Sequence, residues 1–432
     1  MNIINTLATK TFTPGKQSTI TNRKRAYVFN TGCIRRALDS TRIYDYLLKN
    51  GWTFTNNIGA CDLVIVSTCS AVNKSEELST VALRYVAKRI TKRTKLIITG
   101  CLPKVNPEII RATPGLDLFE FVPTGELERL DDVLGSDVSF KDVPDANMVT
   151  NEIGLLDYVL AYRLFRHSFF LKLYKKMSAN RLFLKSIVLG SESYNRAKGI
   201  LGLAHREKII PYYNIRIAEG CAFNCAYCCI KFATGKVKSK PIDEIVGEFK
   251  KGLNEGHKVF QLVCEDVGCY GFDTGSSIAE LLRAMLAIEG DYQLVMIDFS
   301  GHWLVRYYDE LLPLFKANPD KIRELYVPLQ SGSDKILKSM KRPERAEPVQ
   351  KRLLELKTEL PHLILRTTVI IGFPGETRED FKMTVEAIKH IPFEAVELNP
   401  YEDRPGTVSS MMTNKIPDEV VAKRIEEISQ YC

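Results

Sequence analysis

Short apolar runs separated by stretches of helical periodicity recur along most of this chain. Ala26–Asn30 (AYVFN), Asp62–Ser67 (DLVIVS) and Lys95–Gly100 (KLIITG) predict strands, with amphipathic helices over Asp39–Gly51 and Ser75–Arg93 between them. Strand, helix, strand in repetition predicts a parallel sheet with helices on its faces. Between Gly154 and Ala204 the rhythm stops, and an aromatic, aliphatic and basic stretch at helical spacing reads as an inserted helical element packed between two domains. The alternation returns at Tyr212. Strands are predicted at Tyr212–Gly220, Lys258–Asp266, Tyr292–Ser300, Glu324–Ser331, Leu363–Phe373 and Ala395–Tyr401, with helices such as Ile242–Gly256, Ser277–Ile288 and Ser333–Lys341 between them. Six repeats suit a partial barrel, whose sites lie at the C-terminal ends of its strands.

The expected fold class is therefore α/β: a Rossmann-like parallel domain followed by a partial (β/α)6 barrel of TIM type. The expected boundaries are a polar tail over 1–22, the first domain over 23–150, the basic insert over 151–205 and the barrel over 206–432.

Composition narrows the class. With 45% hydrophobic and 26% charged residues, the 432-residue chain has a globular balance and no unbroken apolar run long enough to span a membrane. Met1–Thr21 lacks the apolar segment of a secretory signal, so a reducing, cytoplasmic setting is expected. There, eleven cysteines read as metal ligands or core residues rather than disulfides. The formal charge of +8 is compatible with an RNA partner and does not require one.

The cysteines carry the chemistry. Cys221, Cys225 and Cys228 form C-x3-C-x2-C directly after the first barrel strand, a spacing that lets three thiolates of one loop converge on a four-iron cubane. Zinc would require a fourth ligand, and no His is near in sequence. Cys229, adjacent to Cys228, points away from its neighbour's iron and reads as packing. Cys61, Cys264, Cys269 and Cys432 have no partner at ligand spacing and read as buried apolar residues. A second trio lies in the first domain: Cys33, Cys69 and Cys101 each follow a predicted strand, so parallel strands bring their thiols to one crevice. The six His residues are scattered without ligand or triad spacing. GFPGE (372–376) lacks the Lys-Ser/Thr of a phosphate-binding loop and reads as a tight turn.

Both trios in this order, with EGCAFNCAYC, KSKPIDEIVGE, EDVGCYGFD, VPLQSGSDKILKSMKRP, VIIGFPGETREDF and NPYEDRPGT, resemble the radical S-adenosylmethionine (SAM) methylthiotransferases over roughly Arg25 to Gln430. The motifs are closest to the threonylcarbamoyladenosine tRNA branch. The resemblance implies two [4Fe-4S] clusters, one on Cys221, Cys225 and Cys228 and one on Cys33, Cys69 and Cys101, each with an open iron. It implies SAM both as methyl donor and as radical source at the first cluster, with the second cluster carrying or delivering sulfur. An unreactive C–H carbon is neither acid nor electrophile, which is why such a cofactor is needed. Tyr227 stands in the cluster motif. Glu265 and Asp266 are candidates to meet the methionine amine of SAM, Gln330 and Ser331 its carboxylate or ribose. Ile370 and Gly372 resemble the adenine-contacting strand, with Thr368 where a glycine is common.

The expected partners are a tRNA or a peptide substrate, an external electron donor and a sulfur donor. Three departures from the family bear on the substrate: the C-terminal RNA-binding TRAM module is not found after the barrel, Glu402 replaces a small residue, and GCIRRALDS lacks an Asn common after the first cysteine. A tRNA adenosine beside the anticodon is favoured over a protein side chain. A non-catalytic two-cluster electron carrier is the remaining alternative, and predicts no SAM cleavage.

Overall fold

The computed structural model describes residues 24–55, 57–116, 118–150 and 212–432. The tail at 1–22 and the insert at 151–205 lie outside the described residues. Strands β1 (Arg25–Asn30), β2 (Thr53–Phe54), β3 (Leu63–Thr68), β4 (Lys95–Gly100) and β5 (Glu120–Phe121) form a parallel sheet in the order β2-β1-β3-β4-β5. Alternate side chains serve opposite faces. Phe29, Val64, Val66 and Ile98 pack with Leu83 and Val86 of helix α2 (Asn73–Ala87). Ala26, Val28, Leu63, Ile65 and Ile97 pack on the other face with Ile43, Tyr46 and Leu47 of helix α1 (Ile34–Lys49). Burial on both faces explains why the middle strands read as continuous apolar runs.

The second sheet contains β6 (Tyr213–Arg216), β9 (Val259–Val263), β10 (Gln293–Met296), β11 (Ile322–Tyr326), β12 (Ile364–Ile371) and β13 (Ala395–Pro400), hydrogen-bonded in chain order and all parallel. These are the six strands expected from the apolar pattern. A short antiparallel pair, β7 (Ala218–Glu219) with β8 (Lys238–Ser239), was not expected. It closes the loop that carries Cys221, Cys225 and Cys228.

The two sheets are joined through polar contacts. Asn147 lies beside β6: its carbonyl accepts from the Asn214 amide at 2.8 Å, and its side chain donates to the Asn214 carbonyl at 2.8 Å. At the end of β6, Arg216 pairs with Asp39 of α1 at 2.5 Å. Burial opposes the Asp39 charge, but Arg216 and Arg36 outweigh it and hold the carboxyl below its ordinary range.

Candidate active site

Strands β1, β3 and β4 are neighbours, and their C-terminal ends meet at one edge of the first sheet. Cys33 sits at the start of α1, Cys69 directly follows β3, and Cys101 directly follows β4 at the start of the helix Leu102–Val105. The loops are tied to each other. The Thr31 amide donates to the Ser67 carbonyl at 2.9 Å, and the Cys101 amide to the Thr68 carbonyl at 2.9 Å. Ser79 of α2 accepts from the Cys69 amide and donates to its carbonyl, both at 2.8 Å. Gly100 has φ +91°, and a Cβ placed there would stand 2.1 Å from the Thr68 carbonyl oxygen, so only glycine lets β4 turn this close to β3.

Burial pushes the Cys101 thiol up to about 12; the Arg36 guanidinium opposes this, and the Cys69 and Cys33 sulfurs add to it. Cys69 is raised by burial and by Cys33. The three sulfurs therefore share one electrostatic environment. A thiol must lose its proton to bind a metal, so a metal held by these three sulfurs would be taken up with proton release. Among the described residues no three His, Cys, Asp or Glu side chains converge as the ligands of a single metal ion do. A cubane carries its cysteines on separate corners, so its ligands stand wider apart than those of one ion.

The trio Cys221, Cys225 and Cys228 lies in the loop after β7. Gly220, at φ +79°, starts it; a Cβ there would meet the Lys236 carbonyl oxygen at 2.2 Å. The Cys228 amide donates to the Cys225 carbonyl at 3.3 Å, and the Cys221 sulfur accepts from the Phe223 amide at 3.4 Å. Lys231 donates to the Cys225 carbonyl at 3.4 Å, and Arg342 Nη1 lies 3.9 Å from the Cys225 sulfur. Burial raises Cys221 and Cys228, and the neighbouring sulfurs add to the shift in both. Two cations beside the loop would offset the charge of three thiolates.

The loops that carry the two trios meet at the junction of the sheets. Cys229 is 1% exposed, and its thiol donates to the Ser70 carbonyl at 3.2 Å, one residue past Cys69. It packs with Cys101, Val105 and Ala233 in one apolar cluster. Arg404, from the motif NPYEDRPGT, donates from Nη2 to the Ser70 carbonyl at 2.8 Å and pairs with buried Glu76 of α2. Glu402, of the same motif, accepts from the Asn73 amide at the start of α2 at 2.7 Å. On the other side Arg35 donates to the Cys264 carbonyl at 2.7 Å and to Asp298 at 2.9 Å. The expected packing role of Cys229 thus extends across the junction. Cys61, Cys264 and Cys269 are buried, whereas Cys432 is exposed at the C-terminal end of the chain, where no core surrounds it; the expectation of burial there is corrected.

The residues expected near SAM stand at the C-terminal ends of the barrel strands. Glu265 accepts from the Gly220 amide at 2.8 Å and lies 3.7 Å from Arg35 Nε. Asp266 accepts from the Gly268 and Ser300 amides, each at 3.1 Å, and from Trp303 Nε1 at 2.9 Å, while burial pushes its carboxyl up to about 7. Both carboxylates already hold the scaffold, so a bound amine would share them. Gln330 has φ +63° without being glycine, and its buried Oε1 has no partner among the described residues. Ser331 lies 3.4 Å from Thr384 Oγ1. Tyr227 and Ile370 border an apolar cluster containing Phe373. Gly372 turns at φ +82°, with its amide donating to Glu376 at 2.9 Å. Arg36, Arg342 and Arg404 were not anticipated: their sequence signals, a doubled Arg after Cys33, the MKRP segment and the DRPGT motif, do not reveal which distant groups they meet.

Residues 215–388 match the radical SAM superfamily, and residues 25–119 match an uncharacterized protein family, UPF0004. A structure of the radical S-adenosylmethionine methyltransferase TsrM from Kitasatospora setae, 13% identical, covers 90% of this chain and 77% of its own with a TM-score of 0.56, and so shares the fold. The protein is a radical SAM enzyme. Among its relatives, "Probable threonylcarbamoyladenosine tRNA methylthiotransferase" of Pyrococcus horikoshii is 28% identical over 93% of this chain and 82% of its own length. "Ribosomal protein uS12 methylthiotransferase RimO" of Carboxydothermus hydrogenoformans is 29% identical over 94% and 81%. The chain belongs to the radical SAM methylthiotransferase family. No helix among the described residues is long and apolar enough to cross a membrane.

Proposed function

We propose that this enzyme holds one [4Fe-4S] cluster on Cys221, Cys225 and Cys228 and a second on Cys33, Cys69 and Cys101, and that it methylthiolates an adenosine beside the anticodon of tRNA in the cytoplasm. The observation that carries the reading is the contact of Cys229 with the Ser70 carbonyl and with Cys101, which sets the residue after one trio against the loops of the other. When bound, the clusters and SAM supply one-electron chemistry and sulfur, which protein side chains cannot.

The chain's own groups bind and orient. Glu265 fixes the start of the Cys221 loop through the Gly220 amide, and Arg342 sets an N–H toward Cys225. The unpartnered Gln330 Oε1 offers an acceptor to the amine or ribose of SAM, and Tyr227, Ile370 and Gly372 would border its apolar part. The tRNA reading is supported by the motifs EDVGCYG and NPYEDRPGT and by the names of the Pyrococcus relatives. A protein side chain is the second reading, because relatives named for ribosomal protein uS12 match over the same share of the chain. An external reductant and a sulfur donor complete the partners.

The test is anaerobic reconstitution with methyl-labelled SAM, dithionite, bulk tRNA and uS12 protein, followed by mass spectrometry of nucleosides and peptides. Label recovered as CH3–S on a tRNA adenosine is expected. Label on uS12 alone would overturn the tRNA assignment.

A further inference from the structure

Arg36 is 4% exposed at the junction of the two sheets, yet it is not fully paired. Its Nη1 stands 3.1 Å from Asp39 Oδ2, one turn along α1, and its Nη2 stands 3.9 Å from Glu265. Among the described residues, buried Nη1 makes no hydrogen bond. Its contact with Asp39 is an ion pair without an aligned hydrogen bond, and a buried N–H that lacks one costs about 1–3 kcal/mol, so Nη1 keeps an N–H to give to an acceptor that the protein itself does not provide. The surroundings indicate which. Burial raises the Cys101 and Cys69 thiols, and the Arg36 guanidinium opposes the rise in both, more for Cys101 than for Cys69. Gly32 clears the way for it, since a Cβ there would lie 2.4 Å from Arg36 Cβ. Its neighbour Arg35 is engaged elsewhere, on the Cys264 carbonyl and Asp298.

We infer that Arg36 is a positioning and tuning residue for the first-domain cluster, donating an N–H to one of its sulfurs and raising its reduction potential. The inference rests on the proposed ligand role of Cys33, Cys69 and Cys101. Reduction adds one electron, hence one negative charge, to a cluster already bearing three thiolates. A fixed buried cation favours the reduced form, and hydrogen bonds to cluster sulfur act in the same direction. The same guanidinium reaches toward Glu265 at the barrel edge, so the cluster site and the strand ends of the barrel share one charged residue.

The test uses the full chain with Cys221, Cys225 and Cys228 all replaced by Ala, so that iron remains only at the first-domain trio. After anaerobic reconstitution, the cluster is titrated with dithionite and followed by EPR. Arg36→Gln is expected to keep the iron and sulfide content and to move the midpoint to a more negative potential, with Arg36→Lys between it and the parent. An unchanged midpoint in Arg36→Gln with iron intact would overturn the inference. A parent chain that takes up no iron would instead overturn the cluster assignment beneath it, a distinguishable failure. A measurement on the parent avoids dependence on variant folding: with guanidino-15N arginine, the reduced cluster is expected to show a 15N hyperfine coupling that Arg35→Lys keeps. Absence of that coupling would equally overturn the inference.

Discussion

Arg404 and Ser70 lie 334 residues apart in sequence, yet the Arg404 guanidinium donates to the Ser70 carbonyl at 2.8 Å and to its hydroxyl at 2.7 Å. Ser70 follows Cys69. Arg404 also pairs with Glu76, and the thiol of Cys229, the residue after Cys228, donates to the same Ser70 carbonyl at 3.2 Å. The Ser70 carbonyl therefore takes a hydrogen bond from Arg404 of the NPYEDRPGT segment and another from Cys229 beside the barrel trio.

Removing Arg404 leaves the buried Glu76 without its cation, held only by the Ser70 hydroxyl and the Asn106 amide, and breaking a buried pair in this way costs about 3–5 kcal/mol. Arg404→Ala is expected to lower the melting temperature measured by circular dichroism. Arg404→Lys is expected to restore little, because the guanidinium serves Asn73 from Nη1 and Ser70 and Glu76 from Nη2, and an ammonium has no second nitrogen to span them.

Adjacent cysteines are expected to behave differently. Cys229→Ala should retain the iron of both trios and lose about 1 kcal/mol of stability, since its thiol packs and bonds to Ser70. Cys228→Ala should lose the iron of one cluster. Iron analysis after anaerobic reconstitution separates the two, and equal losses would show that Cys229 is a ligand.

Gly100→Ala places a methyl group against the Thr68 carbonyl and forces β4 away from β3 where Cys69 and Cys101 emerge. The expected outcome is loss of iron from the first-domain trio with SAM cleavage retained at the barrel trio. Normal iron content would mean that the strand ends tolerate the shift.

Asp380 caps the helix Arg378–His390 and accepts from Ser333 at 2.7 Å and Lys335 at 2.6 Å. Burial would raise its carboxyl, but these donors hold it well below its ordinary value of 3.8. A depressed native pKa gives stability that is present above the unfolded value and lost as pH falls through the native one. Asp380→Asn should therefore lower the melting temperature at pH 7, with a deficit that shrinks as the pH drops below 3.8. A deficit independent of pH would contradict the charged cap.

Local patterns carried the architecture. The central strands β3, β4 and β9 are legible because both faces are buried and their apolar runs are nearly continuous, whereas β11 and the half-exposed β13 are legible from shorter apolar runs between helical stretches. β2 and β5, two residues each, give no periodicity to read. The cysteine trios are legible because each follows a strand end. Cys228 and Cys229 could be told apart by backbone direction, but not the contact of Cys229 with Ser70, which depends on how two sheets dock. The same limit hid Arg36 and Arg404, whose neighbours come from distant segments. Glu265 and Asp266 read as ligand groups because acidic residues at strand ends commonly are, whereas here they also accept from Gly220, Ser300 and Trp303.

The most direct test compares the oxygen-protected protein with a variant carrying Cys33, Cys69 and Cys101 replaced by Ala. Iron, sulfide and Mössbauer analysis should find two four-iron clusters in the parent and one in the variant, and the variant should still cleave SAM while transferring no methylthio group. A parent with iron for a single cluster, or a variant that still thiolates its substrate, would contradict the account.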